Sequence, residues 1–277
     1  MRVAGIQVFL HWSWFLVAAV EVQNRANYYT SFLWNVLEYL ALFLLVLLHE
    51  FGHSLACRQV GGKADQIVLW PLGGVAYVSP PQRPGAMLWS LAAGPLVNLI
   101  LVPVLYLLGK VSLAAGWPAD LSNVHFLLRA VWYMNLALLI FNLLPIYPLD
   151  GGQILRSILW FAFGRARSLM LASIIGFGGV VLMVLWSVVF KSIWMGILSV
   201  FVLLNCWGAL RQASALSKIA AAPRRPGFGC PSCHLPPAMG AFWMCSQCRT
   251  SFDTFETMAT CPKCSARFSA TSCPECA

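Results

Sequence analysis

The chain has 277 residues, of which 60% are hydrophobic and 10% charged, against roughly 25% charged in an ordinary soluble domain. That balance excludes a freely soluble globular protein and specifies a polytopic α-helical membrane protein. The formal charge of +9 follows from how basic residues flank the apolar segments, so it is no argument for a nucleic-acid partner.

Six apolar segments reach or approach the roughly 20 residues that a helix needs to cross a bilayer. They lie near residues 7–22, 33–56, 86–109, 124–144, 169–190 and 193–210. The first is the shortest. Arg2 ahead of an apolar run also fits a cleaved signal peptide. That run, however, contains His11, Trp12 and Trp14 and ends in Glu21 without a small-residue cleavage site, which favours a retained helix. Arg2, the group Arg58, Lys63 and Arg83, the group Arg156, Arg165 and Arg167, and the tail from Arg211 all fall on one side of six spans. The opposite loops hold only Arg25, Lys110 and Lys191, with Arg129 near the start of the fourth span. The positive-inside rule then places both termini in the cytoplasm of a multi-pass protein, expected in the cell membrane.

The second segment ends in His49-Glu50-Phe51-Gly52-His53. On a helix, residues four apart share a face, so both imidazoles reach one metal ion. Glu50 then lies beside the ion as a general base, the H-E-x-x-H arrangement of zinc peptidases. After Gly61-Gly62-Lys63, residues 64–70 and 72–78 are β-prone around Pro71. They read either as a small hairpin or sheet, or as a loop capping the helices. The third span opens with Gly94-Pro95-Leu96-Val97-Asn98, where Asn98 either satisfies freed backbone groups or packs between helices.

A third metal ligand has to come from elsewhere, and the fourth span supplies a candidate. It ends in Asn142-Leu143-Leu144-Pro145-Ile146-Tyr147-Pro148-Leu149-Asp150-Gly151-Gly152. A carboxylate at the edge of an apolar span is costly and functional by default. The second and fourth spans point the same way, so Asp150 emerges at the same membrane face as His49 and His53. Its alternative role is a turn residue in an Asp-Gly loop. His11 and His125 have no partner at ligand spacing, and Cys57 reads as a buried small hydrophobe.

Beyond residue 211 the composition changes, giving a membrane domain over 1–212, a linker over 213–229 and a tail domain over 230–277. The tail carries Cys230 and Cys233, Cys245 and Cys248, Cys261 and Cys264, and Cys273 and Cys276, each pair spaced C-x-x-C. Four such knuckles suit two structural Cys₄ zinc sites, a double zinc ribbon whose pairing, sequential or interleaved, the spacing leaves open. Disulfides are the rival on a reducing side of the membrane, with iron-sulphur a lesser one.

Taken together and in this order, His49-Glu50-Phe51-Gly52-His53, Leu72-Gly73-Gly74, Gly94-Pro95-x-x-Asn98 and Asn142-x-x-Pro145-x-x-Pro148-Leu149-Asp150-Gly151-Gly152 resemble the site-2 protease family of intramembrane metalloproteases. Gly5-Ile6 and His11-Trp12-Ser13 look like that family's first span, and the resemblance covers roughly residues 1–210. It implies cleavage of a peptide bond in or near a transmembrane segment, with catalytic zinc on His49, His53 and Asp150 and water activated by Glu50. It also implies substrate contacts at Asn142, with Asn98, Gly73 and Gly74 beside them. Unlike many relatives the chain shows no PDZ or CBS module.

Two other functions compete. One is a membrane-anchored zinc-ribbon scaffold without proteolysis, and the other is metal transport. From residue 211 onward seven Lys and Arg face three Asp and Glu, without a dense basic run interleaved with aromatics. That disfavours nucleic acid and fits a cytoplasmic protein partner or a substrate domain. Transport gives no reason for a glutamate between histidines at this spacing.

Overall fold

The computed structural model describes residues 2–24, 28–70, 73–114, 122–231 and 233–275. Two stretches far apart in the chain build one sheet: β1 (Arg2–Val3), β2 (Ile6–Leu10), β3 (Lys63–Trp70) and β4 (Gly73–Ser79), in the order β1-β2-β3-β4. β3 and β4 form the antiparallel hairpin. β2 lies parallel to β3, from Gln7 opposite Gln66 to Leu10 opposite Leu69. Parallel pairing needs a long crossover, here α1 (Ser13–Asn24) and α2 (Phe32–Gln59).

The sheet folds back along α2. Ile6, Ile67 and Leu69 are fully buried and pack with Trp14 and Val46, while the Tyr39 hydroxyl donates to the Trp14 carbonyl at 2.6 Å. The first apolar segment is therefore only partly helical. Its lower half is the strand β2, and α1 contributes 12 residues, about 18 Å at 1.5 Å per residue. Strand and helix together carry the chain from the sheet end of α2 to its start. Hydrophobicity alone hid this, because Ile6 and Val8 carry a two-residue period inside a run that is apolar throughout.

The other five apolar segments are helices long and apolar enough to cross a membrane: α2, α3 (Pro84–Ala114), α4 (Ser122–Leu143), α5 (Asp150–Val189) and α6 (Ile193–Ala221). Their outward faces stay apolar, as with Leu40, Leu44 and Leu48 on α2 and Val181, Leu185 and Val188 on α5. Exposed rows at helical spacing mark the lipid face of an integral membrane protein. α5 is broken at Gly164, whose φ of 77° and ψ of 173° suit glycine. The break leaves a short arm from Asp150 and a long spanning arm. α6 continues through residues 213–221, which composition had placed in the linker. Alanine and leucine there favour helix, and Ala213 is fully buried beside Leu169 and Ala209.

α2 and α3 touch where their residues are small. A Cβ on Gly52 would lie 2.6 Å from the Ala93 carbonyl oxygen, so glycine sets the helix separation there. Gly52→Val should push α3 off α2 and lower stability by about 1–3 kcal/mol. The unfolding midpoint in detergent checks this, and an unchanged midpoint would contradict it.

Candidate metal centre

His49 and His53 lie one turn apart on α2, buried, with their Nε2 atoms 3.1 Å apart. Asp150, the first residue of α5, brings Oδ2 to 3.0 Å from His49 Nε2 and 3.3 Å from His53 Nε2. Tetrahedral zinc with bonds near 2.0–2.1 Å has donor-donor edges of about 3.3 Å. The triangle has that size, so the three residues fit a single ion.

α3 frames the triangle. A Cβ on Gly94 would collide with His53 Nε2 and lie 2.9 Å from His49 Nε2. Only glycine lets the α3 backbone pass this close to both rings. The other ring nitrogens are tied down: His49 Nδ1–H donates to Asn98 Oδ1 at 2.6 Å and His53 Nδ1–H to the Ser90 carbonyl at 2.8 Å. Such bonds fix the tautomer and turn the Nε2 lone pairs toward the shared point. Asn98 is held in turn, donating to Asn135 Oδ1 at 2.8 Å, and Asn135 donates back to the Asn98 carbonyl at 2.9 Å. Asn98, grouped with substrate contacts on resemblance, is fully buried and braces His49.

Glu50 faces the sheet. Its Oε2 accepts the Ala76 N–H of β4 at 2.9 Å, and its side chain is buried. β4 is an outer strand of the sheet, so an edge lies against the carboxylate. Gly73 and Gly74 open β4 opposite Trp70 and Leu69, while Pro71 and Leu72 lie outside the described residues. Asn142 is half-buried in the last turn of α4. Asn135, the Ser90 carbonyl and the Ala76 amide are the participants that sequence reasoning missed. Two are backbone groups without a residue signature, and the third is an asparagine in the middle of an apolar helix.

The family model for peptidase family M50 matches residues 38–116 and 106–186, which contain the whole triangle and Glu50. The chain belongs to this family. Among proteins similar to this M50 chain, the zinc metalloprotease MJ0392 of Methanocaldococcus jannaschii is 35% identical over 204 residues, covering 73% of this chain and 57% of that protein. The putative zinc metalloprotease sll0528 of Synechocystis is 31% identical over 185 residues, 63% of this chain and 47% of that one. The chain thus spans about half the length of these curated relatives. The solved site-2 protease from Methanocaldococcus jannaschii matches with a TM-score of 0.54 and 29% identity, covering 76% of this chain and 93% of that structure.

The cysteine tail of this M50 chain lies beyond the family match. Cys245, Cys248, Cys261 and Cys264 converge, with Cys245 and Cys264 sulphurs 3.6 Å apart and Cys248 and Cys261 3.5 Å apart. Cys230, Cys233 and Cys273 form a second group, with 3.9 Å between the Cys233 and Cys273 sulphurs. Cys276 lies outside the described residues. Zinc-sulphur bonds of 2.3 Å give edges of about 3.8 Å, so both groups have metal-site spacing. Cys245, Cys248, Cys261 and Cys264 are free thiols. The pairing is nested, the two inner knuckles together and the outer ones together. After each of the first three knuckles the next residue turns left-handed: His234 at φ 59°, Arg249 at 57° and Ser265 at 56°. The amides of these residues donate back to Cys230, Cys245 and Cys261 at 2.9 Å each, closing the loop around the sulphurs.

Thiol electrostatics favour an ion there. Hydrogen bonding to Thr250 brings the Cys248 thiol down to about 6. A hydrogen bond with the Ala266 backbone also favours the Cys264 thiolate, but desolvation and the neighbouring thiols push that group up to about 12. Four sulphurs this close cannot all be thiolates without a cation, so metal binding must release protons. Behind them, burial opposes the charge of Asp253, but the Gly240 and Phe255 amides and Arg225 hold its carboxyl below the usual range.

The bracing of His49 has a measurable consequence. Asn98→Leu should leave His49 Nδ1 without its acceptor and weaken metal binding at the triangle about 10- to 100-fold. Competition with a chelator reads the change, and unaltered affinity would show that Asn98 only packs.

Proposed function

We propose that this chain is an intramembrane zinc peptidase that hydrolyses a peptide bond in or near a transmembrane segment of a membrane-protein substrate. The observation that carries the reading is the His49, His53 and Asp150 triangle with Glu50 beside it, the histidines and Glu50 buried and Asp150 half-buried in one bundle. His49, His53 and Asp150 would hold the catalytic zinc, and the nested cysteine groups would hold two structural ions. When bound, catalytic zinc supplies Lewis acidity, which polarises the scissile carbonyl and acidifies water.

Glu50 is the proton carrier in this reading. The Ala76 amide fixes one carboxylate oxygen, which orients the other for taking a proton from the attacking water and returning it to the leaving amine. Asn98 and the Ser90 carbonyl keep the imidazoles from turning during that exchange. Backbone edges at membrane depth persist only where protein or water satisfies them. The outer edge of β4, met by Glu50 at Ala76, would face water or substrate elsewhere along its length in this reading.

The same edge supports a mode of substrate binding. A helical segment has its carbonyls occupied, so it must unwind before cleavage, and pairing beside β4 would hold it extended across the site. Gly73 and Gly74 would let that segment approach closely, and Asn142 would contact it from α4. The basic residues support cytoplasmic termini, with the metal centre in the cytoplasmic half of the cell membrane. The zinc-ribbon tail would present a surface to a cytoplasmic regulator or substrate domain.

Glu50→Gln separates peptidase from scaffold and transporter. Proteolysis should fall by about 10²- to 10⁴-fold while the zinc content of the purified chain stays at the wild-type level. Comparing membrane proteins that accumulate in cells carrying the variant identifies the substrate. Unchanged turnover of every membrane protein would contradict the reading.

A further inference from the structure

At the end of the bundle away from the sheet, α3 and α4 enclose a cleft of about 270 Å³ whose lining includes Tyr106, Lys110, His125, Arg129, Trp132 and Tyr133. Asn123, at the start of α4, bonds to Thr30 just before α2, which places this cleft at the far ends of the helices. Lys110 lies 12 residues beyond Asn98 on α3, roughly 18 Å along the axis. The cleft is therefore separate from the metal centre and faces the other leaflet.

Its chemistry is cationic and aromatic. The Lys110 ammonium sits 5.5 Å from the Tyr106 ring centroid, and the Arg129 guanidinium sits 5.7 Å from that of Tyr133. Both cations are thereby set along the cleft wall while remaining exposed. Among the described residues the salt bridges give neither of them a carboxylate partner. Trp132 anchors the wall by donating to the Val102 carbonyl at 3.1 Å, and His125 Nδ1 lies 3.2 Å from Ser112 Oγ. Leucines complete the lining.

Two cations without a carboxylate partner among the described residues attract a counter-charge at a membrane surface, and the leaflet supplies one as phosphodiester. Aromatic rings beside them are the residues that settle at headgroup level. We propose that this cleft binds the headgroup of an anionic phospholipid, with Lys110 and Arg129 on the phosphate and the acyl chains running down the α3–α4 groove. The site is independent of the peptidase reading. It ties the packing of α3, which carries Gly94 and Asn98, to the lipid around it.

The test uses the full chain, stripped of lipid in detergent and offered mixed micelles of phosphatidylglycerol and phosphatidylcholine. Bound lipid is counted by native mass spectrometry. Wild type should retain phosphatidylglycerol over phosphatidylcholine roughly tenfold. The pair Lys110→Gln and Arg129→Gln should bring the ratio near parity, whereas Lys110→Arg with Arg129→Lys keeps it. If the double glutamine variant fails to fold, each single variant should give an intermediate ratio. Parity in the wild type, or an unchanged ratio in the glutamine variants, would overturn the proposal. So would release of the lipid by inorganic phosphate alone, which would indicate a free-phosphate site.

Discussion

A carboxylate and two imidazoles converging inside an apolar bundle form the constraint on which the rest of this molecule depends. Their donor atoms lie 3.0–3.3 Å apart, in surroundings where an unpaired charge is expensive. One shared cation would resolve that cost, and the surrounding structure keeps the donors aimed at a single point. Gly94 removes the side chain that would collide with the rings, and Gly52 lets α3 approach α2. The Asn98 and Asn135 pair transmits rigidity from α4 through α3 to His49. Rigidity of this kind lets weak local contacts define a site, because a slack histidine would lose its aim.

The sheet answers a second constraint. The proposed peptidase reading would need water and an extended substrate, and both are incompatible with a bundle sealed all round. Pairing β2 and β3 beside α2 brings an edge strand to Glu50, with its polar backbone next to the carboxylate. The same sheet completes the passage of the first apolar segment, so one element serves both topology and chemistry. The tail is built on a different principle. Short knuckles with left-handed turns offer sulphur ligands, and a bound metal would supply the stability that a core this small lacks.

Much of this could be read from the residues. Spacing placed His49 and His53 on one helical face, and span direction brought Asp150 to the same end of the bundle, where the structure holds all three together. Composition located six apolar segments, five of which are the long helices, and the cysteine module. What stayed hidden has physical reasons. The carbonyl of Ser90 and the amide of Ala76 are backbone groups, which every residue carries. Asn135 looks like any polar residue packed between helices, and Asn98 gives no sign in sequence that it turns toward a histidine. Nesting of the knuckles depends on how the chain returns, which local spacing does not specify.

Zinc content per chain, measured on the purified full-length protein, tests the shared-ion claim most directly. His49→Ala, His53→Ala and Asp150→Ala should each lose the same single equivalent, and combining His53→Ala with Asp150→Ala should lose no more. Retention of all zinc in Asp150→Ala, or a second equivalent lost in the combination, would show that these residues do not bind one ion together.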